Sequence, residues 1–318
     1  MRTGLRMGRR TRRAANLLEQ IVAAFVIVFL RPDVVWCNTV LSACYVRPGR
    51  LLGKRVVLHA HEAGGQMAQV LARYRLDRYW SSVHLVGCAP RVCSELAAAT
   101  GRRVEDVVCI RSVPDYRRIC DLAQRAATVL PAHGVLVGAC GLATHSKGVD
   151  LWLAMVEQVV PAVADLDPHF VWIGADAPPE FFGWASATAL DRRVTFTGSL
   201  ENPYPVLAAL DVFTLTSRSD SFPLVVLESM QLGRPVVAFD VGDVASQLGS
   251  TGRVVEPLAT SQFADEVVAL LRDPAERLRL GAASEDRACE EFNIARFGKD
   301  VRGLACRLVG GPQSGAGD

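Results

Sequence analysis

The stretch Val212–Asp240, VFTLTSRSDSFPLVVLESMQLGRPVVAFD, has the pattern of a strand, a loop, a helix and a second strand. Val212–Leu215 is a short apolar run of β-forming residues, and the polar cluster after it indicates a strand-to-helix loop. Pro223 favours the first turn of a helix, where its missing N–H costs nothing, and Gly233 followed by Pro235 predicts the end of that helix. The stretch therefore predicts one βαβ unit of a parallel sheet.

The loop that opens this helix is a candidate anion site. Parallel sheets bind ligands at the carboxyl ends of their strands, where the loop lies. The backbone N–H groups of Phe222–Val225 would start the helix without intrahelical partners and point outward. A phosphate group fits such a turn without a metal ion.

Two carboxylates, Asp220 and Glu228, bracket the turn. A buried carboxylate needs donors, such as sugar hydroxyls, a vicinal diol or a basic side chain. The plainer interpretation is that Asp220 caps the helix and Glu228 lies on its solvated face. Spacing alone leaves both interpretations open.

The acid-x7-acid spacing of Asp220 and Glu228, the run SFPLVVLE and the closing GRPVV resemble the donor-site signature of retaining glycosyltransferases of family 4. The resemblance implies an α/β fold of the GT-B type, in which two Rossmann-like domains face a cleft. It also implies a hexosyltransferase of glycan biosynthesis that uses a UDP- or GDP-type sugar as donor substrate, with no cofactor. The family usually has Glu where this chain has Asp220.

A second segment, GLATHSKG at Gly141–Gly148, lies after an apolar strand and continues as KGVDLWL. By itself, Lys147 is one of several lysines that could lie on the surface. The run resembles the second donor-side motif of the family, which implies that Lys147 contacts the donor diphosphate. The family normally adds an arginine at the place of Leu142 or Ser146, so one of two expected positive charges is absent.

The resemblance implies a role for each candidate site residue. Asp220, Lys147 and His61 are the candidate catalytic residues: Asp220 would bind the sugar hydroxyls, and His61 matches a family histidine that faces the cleft. As a lone histidine on a strand, His61 also fits a satisfied core position. Glu228 would take the ribose diol. The remaining candidates are donor-binding: Phe222, Pro223 and Leu224 with Lys147 at the diphosphate, and Gly198 and Ser199 near the base.

At 318 residues and 50% hydrophobic, the chain is long enough for two cores. We expect an acceptor-side Rossmann-like domain at residues 1–131, a donor domain at 132–308 and a disordered tail at 309–318, with the linker at Ala123–Gly134. Family members usually begin with a strand and a Gly-rich turn before the equivalent of Asp33. The N-terminal domain is therefore expected to be truncated.

Nine scattered cysteines without a C-x-x-C pair indicate reduced thiols in a cytoplasmic protein. The histidines lack zinc-type spacing, and His59 and His61 are expected on opposite faces of a strand. No Asp-x-Asp element lies between a strand and the sugar site. We therefore predict no metal.

The N-terminal residues 1–13 contain six arginines and no acid, and Ile21–Leu30 is apolar. Arg31, Pro32 and Asp33 interrupt the pattern of a signal peptide, and the apolar run is too short to span a bilayer. We expect a buried amphipathic helix from about Arg12 to Leu30. The basic end is either solvated or in peripheral contact with the inner membrane face.

The expected partners are the nucleotide-sugar donor and a glycan, lipid-linked or small-molecule acceptor, without nucleic acid. Three other functions are compatible with the sequence. The first is a catalytically inactive GT-B relic that acts as a binding or regulatory protein, which the missing arginine favours and the intact Asp220, Glu228 and Lys147 oppose. The second is a nucleotide-sugar epimerase. The third is a glycosidase that uses the two acids, whose separation the sequence does not give.

Overall fold

A computed structural model of the chain describes residues 9–125, 134–188 and 190–309. The chain divides into two compact units. The first unit contains the residues up to Arg111 and those from Gly298 onward, and the second unit is Ser112–Phe297. Most of the expected linker, at 126–133, and the tail from residue 310 lie outside the described residues.

The first unit contains a parallel sheet of four strands in the order β1-β2-β3-β4. Its central strand β2 is almost fully buried, because helices pack on both faces of such a sheet. The strands are β1 (Val34–Cys37), β2 (Arg55–Ala60), β3 (His84–Gly87) and β4 (Val107–Cys109). The helices are α1 (Arg9–Leu30), α2 (Val46–Leu51), α3 (Gly64–Tyr74) and α4 (Pro90–Thr100).

The expectation that α1 is buried is wrong for half of its surface. Ala23 and Ile27 are buried, but Phe25 is 72% exposed and Phe29 is 86% exposed. The hydrophobic period predicts a helix correctly, but it does not determine which face finds a partner. No helix in the described ranges is long and apolar enough to cross a lipid bilayer.

The second unit contains a parallel sheet of six strands in the order β10-β9-β8-β5-β6-β7. The strands are β5 (Val135–Cys140), β6 (Pro168–Ile173), β7 (Val194–Phe196), β8 (Val212–Leu215), β9 (Val236–Phe239) and β10 (Arg253–Val255). The helices are α5 (Tyr116–Ala123), α6 (Val149–Ala162), α7 (Pro179–Thr188), α8 (Tyr204–Ala208), α9 (Leu224–Gln231), α10 (Val244–Leu248), α11 (Thr260–Arg272) and α12 (Pro274–Glu291). A final helix, α13 (Ile294–Val309), contains the boundary at Gly298.

The strand order fixes where a ligand can bind in the second unit. From β5 the chain continues outward to β6 and β7, and it then returns to the other side of β5 to form β8, β9 and β10. The strand order therefore reverses between β5 and β8. In open α/β sheets, ligands bind outside the carboxyl ends of the strands at this switch point.

The structure divides the chain at Arg111, whereas the sequence suggested a boundary near Pro131. The difference is α5, which packs with the second unit. Its Tyr116 hydroxyl donates to Glu285 over 2.7 Å, and the Asn202 amide donates to the carbonyl of Leu122 over 2.9 Å. These contacts are distant in sequence, so local pattern could not assign α5 to a unit.

Candidate functional site

Two loops meet at the switch point of the second unit: residues 141–148 after β5 and residues 216–223 after β8. The backbone N–H of Arg218 donates to the carbonyl of Ser146 over 2.9 Å, and the Thr216 hydroxyl donates to the carbonyl of Gly148 over 3.0 Å. Arg218 also forms two 2.6 Å hydrogen bonds to the carboxylate of Asp150. Bidentate guanidinium–carboxylate pairs add geometric precision, so the two loops are held in one arrangement.

Gly148 lies at the closest approach of the two loops. Its φ of 70° is in the left-handed region, which residues with a Cβ adopt only with strain. A Cβ at this position would lie 1.9 Å from the carbonyl oxygen of Thr216. Both the conformation and the space therefore require glycine here.

We expect Gly148→Ala to lower the free energy of unfolding by about 2–4 kcal/mol, because the new Cβ must displace backbone. The measurement is the urea unfolding transition. Gly183→Ala in α7 is the matched control, since its Cβ meets nothing within 4 Å and its φ is not positive. Equal unfolding midpoints for the two variants would contradict the close approach of the loops.

Lys147 and Asp220, one from each loop, form an ion pair of 2.6 Å between Nζ and Oδ2. The Asp220 side chain is only 16% exposed. No side-chain cap is formed on the Pro223 end of α9, so the interpretation of Asp220 as a helix cap is wrong. The structure instead brings together the two charged residues that the sequence had placed in separate motifs.

The start of α9 differs from its predicted position. Pro223 precedes the helix with an extended ψ of 109°, and the first helical residue is Leu224. Pro223 has no N–H, so the donors at this helix start are the N–H groups of Leu224 and Val225. The Phe222 side chain is buried and its ring lies 6.2 Å from that of Phe292, so it serves as a core residue.

Glu228 lies one turn into α9 and is half-buried, so it does not lie on a solvated face. The Tyr204 hydroxyl donates to its Oε1 over 3.5 Å, which is a long hydrogen bond. Burial raises the pKa of Glu228, and the hydrogen bond from Tyr204 opposes this rise. No ion pair to Glu228 occurs in the part of the chain that the structure describes. The carboxylate therefore lacks the donors that an ionised acid needs when water is excluded.

Two residues near Glu228 were not foreseen from the sequence. Cys140 ends β5, and burial together with the negative charge of Glu228 raises the pKa of its thiol to about 12. Burial and the same carboxylate raise the pKa of Tyr204 to about 12. Both residues are close to Glu228 only through tertiary packing. The one local signal is the position of Cys140 at the carboxyl end of a strand.

We expect Glu228→Gln to raise stability at neutral pH. The folded pKa of Glu228 is raised, so the folded state binds its proton more tightly, and stability falls as pH rises from the unfolded pKa through the folded one. The glutamine variant lacks this loss. Its gain in melting temperature should therefore be present at pH 7 and vanish below the ordinary glutamate pKa. Glu256→Gln at an exposed position is the control, and a pH-independent difference at Glu228 would contradict its burial as the cause.

The loop after β9 contacts the backbone of Asp220 and Ser221. Gly242 has a φ of 57°, and a Cβ there would lie 2.0 Å from the carbonyl oxygen of Asp220. The backbone N–H of Asp243 donates to the carbonyl of Ser221 over 3.2 Å. The carbonyls of Asp220 and Ser221 are thus fixed by the neighbouring strand end.

Gly198 and Ser199 follow β7, the edge strand on the far side of β6. Gly198 has a φ of 69°, and its N–H donates to the carbonyl of Ala175 over 3.0 Å. Ser199 is exposed. These residues share the carboxyl edge of the sheet with Lys147 and Asp220 but lie beyond β6, away from the β5–β8 switch point.

His61 belongs to the first unit, where its Nε2 lies 3.2 Å from Oδ1 of Asn38. Its ring lies 4.3 Å from that of His59, so the expectation of opposite faces is wrong. Residues i and i+2 of a strand share a face. Burial and the neighbouring His61 lower the pKa of His59 to about 4. Glu62 is also structural, since it accepts hydrogen bonds from Thr39 and from the backbone N–H of Val40.

Within the described ranges, no group of three or more His, Cys, Asp and Glu residues is arranged to hold a metal ion. The one Asp-x-Asp sequence, Asp165 and Asp167, precedes β6 at the amino edge of the sheet, and its two aspartates pair with Arg272 and Arg193. The candidate site therefore consists of Lys147, Asp220, Glu228 and the N–H groups at the start of α9.

Comparison with known proteins finds similarity to one family over part of the second unit. Residues 133–273 match the family model of "Glycosyl transferases group 1". The alpha-D-kanosaminyltransferase of Streptomyces kanamyceticus is 33% identical over 160 residues, which are 47% of this chain and 41% of that relative. The matches span between 28% and 55% of the length of such curated relatives.

Solved structures with the same fold align with most of this chain. Anabaena HepE in complex with UDP and glucose aligns with a TM-score of 0.75 and 18% identity over 90% of this chain and 81% of that one. A glycosyltransferase from Rickettsia africae aligns with a TM-score of 0.76 and 12% identity over 98% and 85% of the two chains. The chain thus has the α/β fold of the GT-B type, and its residues 133–273 are similar to glycosyl transferases group 1.

Proposed function

We propose that this protein is a hexosyltransferase that moves a sugar from a nucleotide-diphosphate sugar to an acceptor hydroxyl with retention and without a metal ion. The observation that carries the proposal is the Lys147–Asp220 ion pair at the switch point between β5 and β8, beside Cys140, whose thiol lies within electrostatic reach of both Lys147 and Glu228. The similarity of residues 133–273 to glycosyl transferases group 1 supports it.

The geometry supports a distinct role for each charged group. A nucleoside diphosphate would place its phosphates against Lys147 and the N–H groups at the start of α9, where cation and helix dipole both favour negative charge. Glu228 would accept hydrogen bonds from the ribose diol, which supplies the donors that its half-buried carboxylate lacks. Asp220 would bind hydroxyls of the transferred sugar, oriented by its ion pair with Lys147.

During transfer, the bond between the anomeric carbon and the diphosphate breaks and a bond to the acceptor oxygen forms on the same face of the sugar, while the proton of the acceptor hydroxyl passes to the departing diphosphate oxygen. Negative charge grows on the leaving diphosphate. Lys147 and the N–H groups of Leu224 and Val225 are preorganised to stabilise that charge, which lowers the barrier more than it strengthens ground-state binding. We propose His61 of the first unit as an acceptor-binding residue.

Names of similar proteins support the substrate class. HepE is described in complex with UDP and glucose, and S. kanamyceticus has a kanosaminyltransferase and a 2-deoxystreptamine glucosyltransferase among the relatives. We therefore propose a UDP-hexose as the first donor to test, with a GDP-sugar as the second. A glycan, a lipid-linked sugar or a small molecule would be the acceptor. The inactive-relic alternative is not favoured, because the charged groups at the switch point are intact.

The test is calorimetric binding of UDP and GDP to the purified protein, followed by release of nucleotide from UDP-hexoses with candidate acceptors. Micromolar binding of one nucleotide and acceptor-dependent release are expected. A folded sample that binds neither nucleotide would contradict the proposal. Interconversion of UDP-sugars without an acceptor would instead identify an epimerase.

Transfer is expected to be unchanged in excess chelator, because Lys147 and backbone N–H groups occupy the role of a metal at the diphosphate. The measurement is the initial rate with EDTA and with added magnesium or manganese. Loss of activity in EDTA that either metal restores would show that the diphosphate needs a cation that the chain does not supply.

A further inference from the structure

Helix α1 is attached to the first unit through its polar side. Glu19 accepts a 2.6 Å hydrogen bond from the Arg73 guanidinium and a 2.7 Å hydrogen bond from the Tyr74 hydroxyl. The Asn16 amide donates to the carbonyl of Arg73 over 3.2 Å. Ala23 and Ile27 continue this line along the helix and are buried. The orientation of α1 is therefore fixed by specific hydrogen bonds.

The opposite side of α1 is apolar and faces outward. Its exposed residues recur at helical spacing: Leu17, Leu18, Ile21, Val22, Phe25, Val28 and Phe29. The surface of a soluble monomeric protein rarely carries a contiguous apolar patch of this kind. Where such a patch occurs, it marks a contact with a membrane or another macromolecule. We call it the outward face of α1. Its two phenylalanines are among the most exposed large apolar residues in the described part of the chain.

A groove lined with arginine borders the outward face. Its cavity volume is about 410 Å³, and Leu17 of the outward face forms one of its walls. The other lining residues are Asn16 and Gln20 of α1 together with Arg47, Arg73, Tyr74, Arg75, Arg78 and Tyr79. Arg73 is paired with Glu19. In the described part of the first unit, none of the ion pairs includes Arg47, Arg75 or Arg78. Three guanidinium groups are thus available to an anion at the edge of an apolar surface.

The sequence adds charge of the same sign at one end of the helix. Residues 1–13 contain six arginines and no acid, and α1 begins within them at Arg9. An apolar helical face bordered by arginines is the arrangement by which peripheral proteins bind anionic bilayers. A purely apolar partner surface would leave these charges without a counterpart.

We propose that the outward face of α1 and the arginine groove beside it dock this protein on an anionic phospholipid membrane. Phe25 and Phe29 would enter the acyl-chain boundary, while Arg47, Arg75 and Arg78 would contact lipid phosphates. The helix would lie in the plane of the interface. This proposal does not depend on sugar transfer, and it assigns to the first unit a site separate from Lys147 and Asp220.

The test is cosedimentation of the full chain with vesicles of phosphatidylcholine alone or of phosphatidylcholine and phosphatidylglycerol in equal parts. Binding is expected to the mixed vesicles, and it should weaken as salt rises, because exposed charges are screened. Phe25→Ser with Phe29→Ser is expected to lower the partition coefficient by more than about tenfold, since two aromatic side chains no longer leave water. Circular dichroism should be unchanged, because both side chains are exposed.

The triple variant Arg47→Gln, Arg75→Gln, Arg78→Gln is expected to lower binding to mixed vesicles by about 100-fold and to reduce its salt dependence. The matched controls are Leu278→Ser and Arg192→Gln, exposed residues of the second unit that should leave binding unchanged.

Three results would overturn the proposal. The first is no binding of the folded wild-type chain to mixed vesicles at low salt. The second is binding that both sets of variants leave unchanged, which would assign it to residues 1–13 alone. The third is a wild-type chain that does not bind lipid and sediments as a dimer, while the variant with both phenylalanines replaced sediments as a monomer. This result would show that a second copy of the chain covers the outward face. Nucleotide binding by the same variants should equal that of the wild type. A loss of lipid binding can therefore be told apart from a failure of the donor site.

Discussion

Replacing Lys147 with alanine is expected to lower the turnover number of sugar transfer by about 100- to 1,000-fold, the usual effect of removing one group that stabilises transition-state charge. The Nζ atom lies 2.6 Å from Asp220, so the substitution removes the positive charge at the proposed diphosphate position and also leaves Asp220 without its partner. The measurement is nucleotide release from a UDP-hexose under saturating donor.

Two further variants separate charge from position. Lys147→Arg keeps the charge and is expected to retain more activity than Lys147→Ala. Lys299→Ala, at an exposed position of α13, is the matched control and should leave turnover unchanged. If Lys147→Ala raised the Michaelis constant alone, Lys147 would bind substrate and transition state equally, and its proposed catalytic role would be wrong.

Glu228→Ala is expected to weaken UDP binding by about 10- to 100-fold, because hydrogen bonds to a charged acceptor contribute roughly 1.5–3 kcal/mol. The carboxylate is half-buried and has only one long hydrogen bond in the described part of the site, from Tyr204. A ribose diol would satisfy it. Calorimetry at neutral pH measures the change.

Two controls test whether Glu228 acts through contact with the ribose. Glu256→Ala, at an exposed position, should leave the dissociation constant unchanged. Inorganic pyrophosphate, which lacks the ribose, should bind wild type and Glu228→Ala equally. If the variant lost pyrophosphate binding as well, Glu228 would act through the structure of α9 and not through the ribose.

The regular elements with strong local patterns were predictable from the sequence. Val212–Leu215 forms a strand with the predicted bounds. Short elements with weak patterns were missed, such as β10 at Arg253–Val255, which is apolar in only two residues. The sequence pattern also predicted the start of α9 too early. A proline with an extended ψ is equally suited to the position just before a helix, which Pro223 occupies.

The candidate site was only partly predictable for a different physical reason. Asp220, Glu228 and Lys147 were found through resemblance to a motif, but the 2.6 Å contact between Lys147 and Asp220 depends on the pairing of β5 with β8. Tyr204 and Cys140 approach Glu228 from other elements, so no local spacing indicates them. The outward face of α1 is a similar case. The period of its sequence indicates an amphipathic helix, whereas the hydrogen bonds of Glu19 determine that the apolar side faces away from the unit.

The most direct measurement of the central claim is a crystal structure of the protein with UDP. We expect the diphosphate within hydrogen-bond distance of Lys147 Nζ and the backbone N–H groups of Leu224 and Val225, with the ribose diol on the Glu228 carboxylate. UDP bound elsewhere on the second unit, or a diphosphate at the switch point whose ribose leaves Glu228 without contact, would contradict the account.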